Sequence, residues 1–355
     1  ITGSSVVTNS LLGGGLYYNH SKDVMINVSG TASIGGTGNW LICGGLESGQ
    51  TYGDSYAEFD KSNNTVESAM LTIDGGTYGY IAIGGTDGAK GYIKNSKATI
   101  KNATIQGGVY GNGSNGRSDK VEGTLTNCTF VKANSPIEIA AVNRGKSKEV
   151  SLTFDNCTFP TEASDIYVYL GATYHTLLGY KGSEYGIPEN VNFTFKGEKA
   201  MPVVGVSDGL AEANVTLTGA KGHIAKFEIS DSQSINAFTI PTGKTWTFNG
   251  GLEFATGENV ATLTNNGKLN VRGIDNVVDL QSAMIQSDTI GLKAGRYSLA
   301  SHLLVRKPMV IEGTITDKDS TIIEPASNWS GSDNGTKNLV RIDASNTSLK
   351  NLIVE

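Results

Sequence analysis

The sequence predicts an all-β solenoid, in which parallel strands stack coil upon coil, and three observations predict it. A five-residue unit (apolar, any, apolar, polar, then Gly or Asn) returns eleven times along the chain. Its last position is always Gly or Asn, the two residues that most readily enter the left-handed αL backbone region. Gly accounts for 46 of 355 residues without a G-X-Y period, a composition that excludes collagen and suits turn-rich β structure. A strand with two inward apolar residues, closed by a positive-φ turn and repeated about once per coil, is the sequence signature of a β-solenoid.

The units occupy 26–30, 71–75, 98–102, 123–127, 152–156, 193–197, 215–219, 246–250, 269–273, 309–313 and 347–351. The tightest copies are Thr99-Ile100-Lys101-Asn102-Ala103-Thr104-Ile105, Thr124-Leu125-Thr126-Asn127-Cys128-Thr129-Phe130 and Thr153-Phe154-Asp155-Asn156-Cys157-Thr158-Phe159. Asn102, Asn127, Asn156 and Asn351 form the expected asparagine ladder, because Asn tolerates αL and stacked amides can bond along the solenoid axis. Gly123 and Thr347 stand where an apolar residue is expected. Ile73, Ile100, Leu125, Phe154, Phe195, Leu217, Phe248 and Val271 are expected in one inward column, each worth ~1.5–3 kcal/mol on full burial.

The shorter intervals between turn positions, about 22 to 31 residues, are single coils. The long interval after Gly30 hides a further coil around Trp40-Leu41-Ile42-Cys43-Gly44 and a polar excursion over 47–68. The long interval after Asn156 holds a strand over 165–170 and then a loop rich in Tyr and Gly. One helix is expected at 275–286, with Asp275 as N-cap and Val277, Val278, Leu280, Met284 and Ile285 as its apolar stripe. These boundaries predict one β-helical segment over 1–273 and a second over 274–355, opening with the helix and ending in mid-pattern at Leu352-Ile353-Val354-Glu355. That open edge is expected to be covered by further chain or by a neighbour.

The helix is followed by Ala294-Gly295-Arg296-Tyr297, then by the runs 303–305 and 310–313. This succession resembles the opening of pectate-lyase-like right-handed parallel β-helices, in which a short helix caps the core before the first coil. The phrases at 72–85 (TIDGGTYGYIAIGG) and 103–113 (ATIQGGVYGNG) resemble the Gly-rich β-helices of bacterial surface proteins. The fold class is therefore all-β: a right-handed parallel β-helix with an Asn/Gly turn ladder and a short capping helix.

Net charge is −6 with both signs interspersed, so the basic patch that nucleic acid requires is missing. No apolar run approaches membrane-spanning length, and the first residues do not read as a signal peptide. Cys43, Cys128 and Cys157 are too few for a disulfide framework. Cys128 and Cys157 share one register in successive coils and are expected as buried thiols.

Motif matches are absorbed by the solenoid. Gly205-Val206-Ser207-Asp208-Gly209 fits G-x-S-x-G, but a strand follows where a nucleophile elbow needs a helix. Residues 111–116 fit G-x-G-x-x-G and again run into a strand, whereas a dinucleotide site needs a helix N-terminus. The four histidines form no zinc pattern, and no cofactor is expected. Calcium could use Asp54, Glu58, Asp60 and Asn64, or Asp317 and Asp319, although neither group follows an EF-hand loop. No pair of carboxylates suited to glycoside hydrolysis stands out. Lys101, Lys196, Lys350 and Arg272 read as solvent-facing strand-end residues.

The most suggestive surface is aromatic. Tyr167, Tyr169, Tyr174, Tyr180 and Tyr185 cluster in one excursion. Period 2 places Ile166, Val168 and Leu170 inward and both Tyr167 and Tyr169 outward. Exposed tyrosines suit sugar rings or a protein partner, unless the loop 171–190 folds back over them. Two functions are consistent with these features. One is a secreted or surface-displayed bacterial protein, adhesin-like or glycan-binding, whose partner is a polysaccharide or cell-surface ligand. The other, by resemblance of fold, is a polysaccharide lyase or glycoside hydrolase.

Overall fold

The repeated units become the strands of a long parallel sheet because alternate apolar residues can be buried only if each coil lies in register on the last. The computed structural model describes residues 1–8, 10–13, 21–34, 39–44, 65–85, 92–113, 117–142, 146–172, 188–206, 213–225, 227–230, 233–235, 237–257, 260–316, 318–329 and 338–355. It forms two units, the first made of Ile1–Ala220 with Phe227–Ile235 and the second of Lys221–Lys226 with Asn236–Glu355.

In the first unit the ladder sheet runs through Ser21–Ser29, Thr65–Asp74, Tyr92–Lys101, Arg117–Thr126, Lys146–Asp155, Pro188–Lys196 and Asn214–Thr218, all parallel and in chain order. The second sheet alternates with it along the chain, through Val6–Val7, Ser33–Ile34, Thr77–Ala82, Thr104–Asn112, Ile137–Val142, Ile166–Ala172 and Val204–Gly205, again all parallel. This is a parallel β-solenoid. The coil expected near Trp40 is present as strand Trp40–Ile42, paired with Thr77–Ala82. One antiparallel ribbon, Phe227–Ser230 with Gln233–Ile235, departs from the pattern.

The turns carry the predicted dihedrals at most positions. Asn102, Asn127 and Asn156 each have φ 54° and Asn351 has φ 52°, while Gly30, Gly75, Gly197, Gly219 and Gly273 are also positive. Asn156 Nδ2 donates to Asn127 Oδ1 at 2.7 Å, and Asn102 Nδ2 donates to Asp74 Oδ1 at 2.7 Å. Two positions differ. At 250 the positive φ falls one residue later, on Gly251 at 92°. Gly313 is a glycine for space, since a Cβ there would lie 2.5 Å from the Asn351 carbonyl oxygen.

The inward column stacks as expected from Ile73 through Ile100, Leu125 and Phe154 to Phe195. The rings of Phe154 and Phe195 lie 4.9 Å apart and nearly parallel. Leu217 then leaves the column and pairs with Phe193, two residues out of the expected register. The cause is local: Gly219 lies against the Phe195 carbonyl, which a Cβ would approach to 2.0 Å, so this turn comes early relative to the strand beneath. The missing apolar side chain at Gly123 is also explained, because a Cβ there would meet Ile83 Cδ1 at 2.5 Å and Leu152 Cδ2 at 2.8 Å. Larger neighbours fill that slot.

All three cysteines are free and buried. Burial pushes the Cys43 thiol up to about 12. A hydrogen bond with the Cys157 thiol, with burial added, raises Cys128.

In the second unit, Thr245–Phe248, Lys268–Ile274, Thr289–Leu292, Val310–Glu312 and Ser348–Lys350 form one parallel sheet. Gly222–Ile224 pairs with Leu252–Phe254, and Gly295–Leu299 with Thr321–Pro325 and then Ile353–Val354. The helix spans Val277–Gln286, but its N-cap is Asn276 rather than Asp275. Asn276 is extended, and its Oδ1 accepts from the Asp279 amide at 2.9 Å, leaving Asp275 to pair with Lys293. The buried face is Leu280 and Ala283, whereas Val278 and Ile285, expected inside, are each 71 % exposed. In the Ala294-Gly295-Arg296-Tyr297 run the ring of Tyr297 is buried, and its hydroxyl donates to the Ile274 carbonyl at 2.6 Å.

Candidate functional site

Six strands of the first unit build an aromatic face: β1 (Trp40–Ile42), β2 (Thr77–Ala82), β3 (Thr104–Asn112), β4 (Ile137–Val142), β5 (Ile166–Ala172) and β6 (Val204–Gly205). Leu41, Ile81, Val109, Ile139, Val168 and Val204 pair in register and are buried core. Side chains one residue away on each strand therefore point to the opposite, outer face. One outer rank pairs Trp40, Tyr80, Gly108, Glu138 and Tyr167 on five successive rungs. Rungs ~4.8 Å apart make this rank ~19 Å long. The adjacent rank holds Ala82, Tyr110, Ala140, Tyr169 and Gly205.

The two ranks differ in access. Tyr110 is 1 % and Tyr169 8 % exposed, while Tyr167 is 36 % exposed and Trp40, Tyr80 and Glu138 are half-buried. The second rank is thus a support on which the first is held. Trp40 stacks on Tyr80 at 4.9 Å and on Tyr110 at 5.3 Å, with planes within 25°. Tyr110 donates its hydroxyl proton to Glu138 Oε2, which fixes the carboxylate beside the rings. Tyr167 lies 6.3 Å from Tyr169, nearly parallel to it.

Glycines make the stacking possible. A Cβ at Gly107 would meet the Tyr80 ring at 2.9 Å, and one at Gly205 would meet the Tyr169 ring at 3.3 Å. The ladder also slips between Tyr78 and Tyr80, where β3 carries an extra residue against β2. Burial, and then the Glu138 carboxylate, raises the Tyr80 phenol above its ordinary value. This face therefore combines flat aromatic rings, a Tyr80 phenol held in its neutral form, and the Glu138 carboxylate that accepts from Tyr110.

Of the expected binding tyrosines, Tyr167 and Tyr169 come together here, but Tyr169 is buried although period 2 put it outward. It does lie on the outer face, in one buried cluster with Tyr110 and Ala140. Tyr174, Tyr180 and Tyr185 lie outside the described residues, as do Ser207, Asp54, Glu58, Asp60, Asn64 and Asp317. Asp319 closes a turn on Thr316. Arg272 pairs with Glu312 at 3.2 Å. Asn112, within the G-x-G-x-x-G match, donates its buried amide to Ser118 Oγ at 2.6 Å. Among the described residues no group of three or more His, Cys, Asp or Glu is placed to hold a metal, and no helix is long and apolar enough to cross a membrane.

Trp40, Tyr80, Tyr110 and Glu138 were not singled out by sequence reasoning. A signal existed: Trp40 and Tyr80 each precede three apolar residues and, four positions further on, a glycine pair. No protein family matches this chain, and neither a curated protein nor a solved structure does. The class defined by the fold itself is the parallel β-solenoid.

Proposed function

We propose that the chain is an extracellular or surface-displayed binding protein of the adhesin-like, pectate-lyase-like β-helix kind, and that it takes a linear polysaccharide along its aromatic rank. The observation that carries this reading is the line Trp40, Tyr80, Gly108, Glu138 and Tyr167 on consecutive rungs. A solenoid repeats its surface at rung spacing, so a linear polymer lying along the axis meets ring after ring. Aromatic faces bury the apolar face of a sugar, and Glu138 accepts from its hydroxyls. Among the described residues this rank holds one carboxylate, whereas glycoside hydrolysis uses two across the scissile bond. Binding without cleavage is therefore the better-supported chemistry.

The test is affinity electrophoresis and Trp fluorescence against neutral and uronic-acid polysaccharides. Trp40→Ala and Tyr167→Ala are each expected to weaken binding of the best ligand about tenfold. A native fold that binds no polysaccharide, or equal binding by both variants, defeats the proposal. Unsaturated products released from uronic-acid polymers would replace it with lyase chemistry.

A further inference from the structure

A second feature lies wholly in the second unit, independent of the aromatic rank. Between the helix Val277–Gln286 and strand Leu303–Val305 there is a cleft of about 470 Å³, within the range of small-molecule sites. Met284, Ile285, Leu303 and Leu304 line it with apolar surface, and Arg306 and Lys307 stand in the same wall. Ile285 is 71 % exposed on a helix whose other face is packed, so water covers an apolar side chain beside the cations.

Several cations of this protein pair with carboxylates, as Lys94 does with Glu67 and Arg296 with Glu324. Arg306 and Lys307 form no ion pair among the described residues. Lys307 is half-buried, and burial lowers its ammonium, with Asp288 acting in the opposite direction. Asp288 is engaged elsewhere: its Oδ2 accepts from Asn265 Nδ2 and from the Leu269 amide, both at 2.8 Å. A partly desolvated ammonium that forms no direct ion pair, beside a guanidinium and an open apolar surface, favours an anion that carries an apolar body.

We propose that this cleft binds a small amphiphile with an aliphatic chain and a terminal carboxylate. The chain lies on Met284, Ile285, Leu303 and Leu304, and the carboxylate meets Arg306 and Lys307. His302 also lines the cleft, and its ring stands 5.2 Å from Trp329, edge to face. Occupancy is therefore reported by the emission of Trp329.

Decanoate, kept below its micelle-forming range, is the probe, titrated into the full chain by calorimetry and by Trp fluorescence. Decanol and decyltrimethylammonium are the uncharged and cationic comparisons. Saturable decanoate binding, about tenfold or more tighter than decanol, is expected. The double substitution Arg306→Gln with Lys307→Gln should abolish that preference, and Ile285→Glu should weaken decanoate by a similar factor. Ile285 and Arg306 are exposed and Lys307 is half-buried, and circular dichroism checks that each variant keeps the fold. Trp329→Phe should remove the optical signal and leave the calorimetric one. Absence of saturable decanoate binding, equal affinity for decanol, or unchanged affinity in the double variant overturns the proposal. None of these results bears on polysaccharide binding by the first unit.

Discussion

Asn127 isolates what the turn ladder contributes. Its φ of 54° is in the αL region, its amide donates to the Asp155 carbonyl at 2.9 Å, and its Oδ1 accepts from Asn156 at 2.7 Å. Substitution by Gly keeps the backbone bond, removes any αL strain and loses the side-chain bond. The expected cost is about 1 kcal/mol, from the lost bond and the greater freedom of the unfolded chain. Substitution by Ala loses the same bond and adds ~1–2 kcal/mol for a Cβ in αL, about 2 kcal/mol or more in all. Substitution by Val, β-branched at positive φ, costs more again. Stability should therefore fall in the order Asn, Gly, Ala, Val. Urea unfolding followed by circular dichroism measures it, with hydrogen exchange at the amides of neighbouring rungs to locate the loss. Long repeats need not unfold in one step, so the comparison is of midpoints at matched slope. An Ala variant as stable as the Gly variant would refute the conformational argument, and a Gly variant less stable than Ala would reverse it.

Two further outcomes follow from packing and from pH. Gly123→Val places a Cβ 2.5 Å from Ile83 Cδ1 and should cost ~1–3 kcal/mol by overpacking, with Ile83→Ala in the same chain restoring part of the loss; a thermal melt unchanged by Gly123→Val would show that the slot is loose. Burial pushes Tyr78 and Tyr297 up to about 12 from an unfolded value near 10, so the fold favours their neutral forms. Their stabilising contribution is complete below pH ~10 and is lost as pH rises toward ~12. Ultraviolet titration should show a fraction of the tyrosines ionising late, together with loss of structure, and a single midpoint near 10 in a still-folded chain would contradict this.

The periodic elements were legible because each is a local event. The αL turns at Asn102, Asn127 and Asn156 depend on residue type and on the strand just before them, and the helix depends on a cap and a run of residues. Local reasoning failed where two coils must agree. Asp275 was the expected cap, but the helix starts one residue later and Asn276 accepts from the Asp279 amide instead. Gly219 reads as the same turn as Gly197, yet its contact with the Phe195 carbonyl shifts Leu217 beneath Phe193. The stripe assigned to Val278 and Ile285 faces outward because the helix packs through Leu280 and Ala283.

By itself the sequence determined the all-β class, the parallel stacking and the conformation of most turns, since a strand of alternating apolar residues ended by Asn or Gly has few other ways to bury its side chains. Only the tertiary structure decided the aromatic rank. Trp40, Tyr80, Glu138 and Tyr167 belong to four different coils, and the extra residue at Gly107–Gly108 resets the alternation between two of them. Which side chains share an outer line depends on inter-strand register, and register is set by pairing across coils rather than by any one strand.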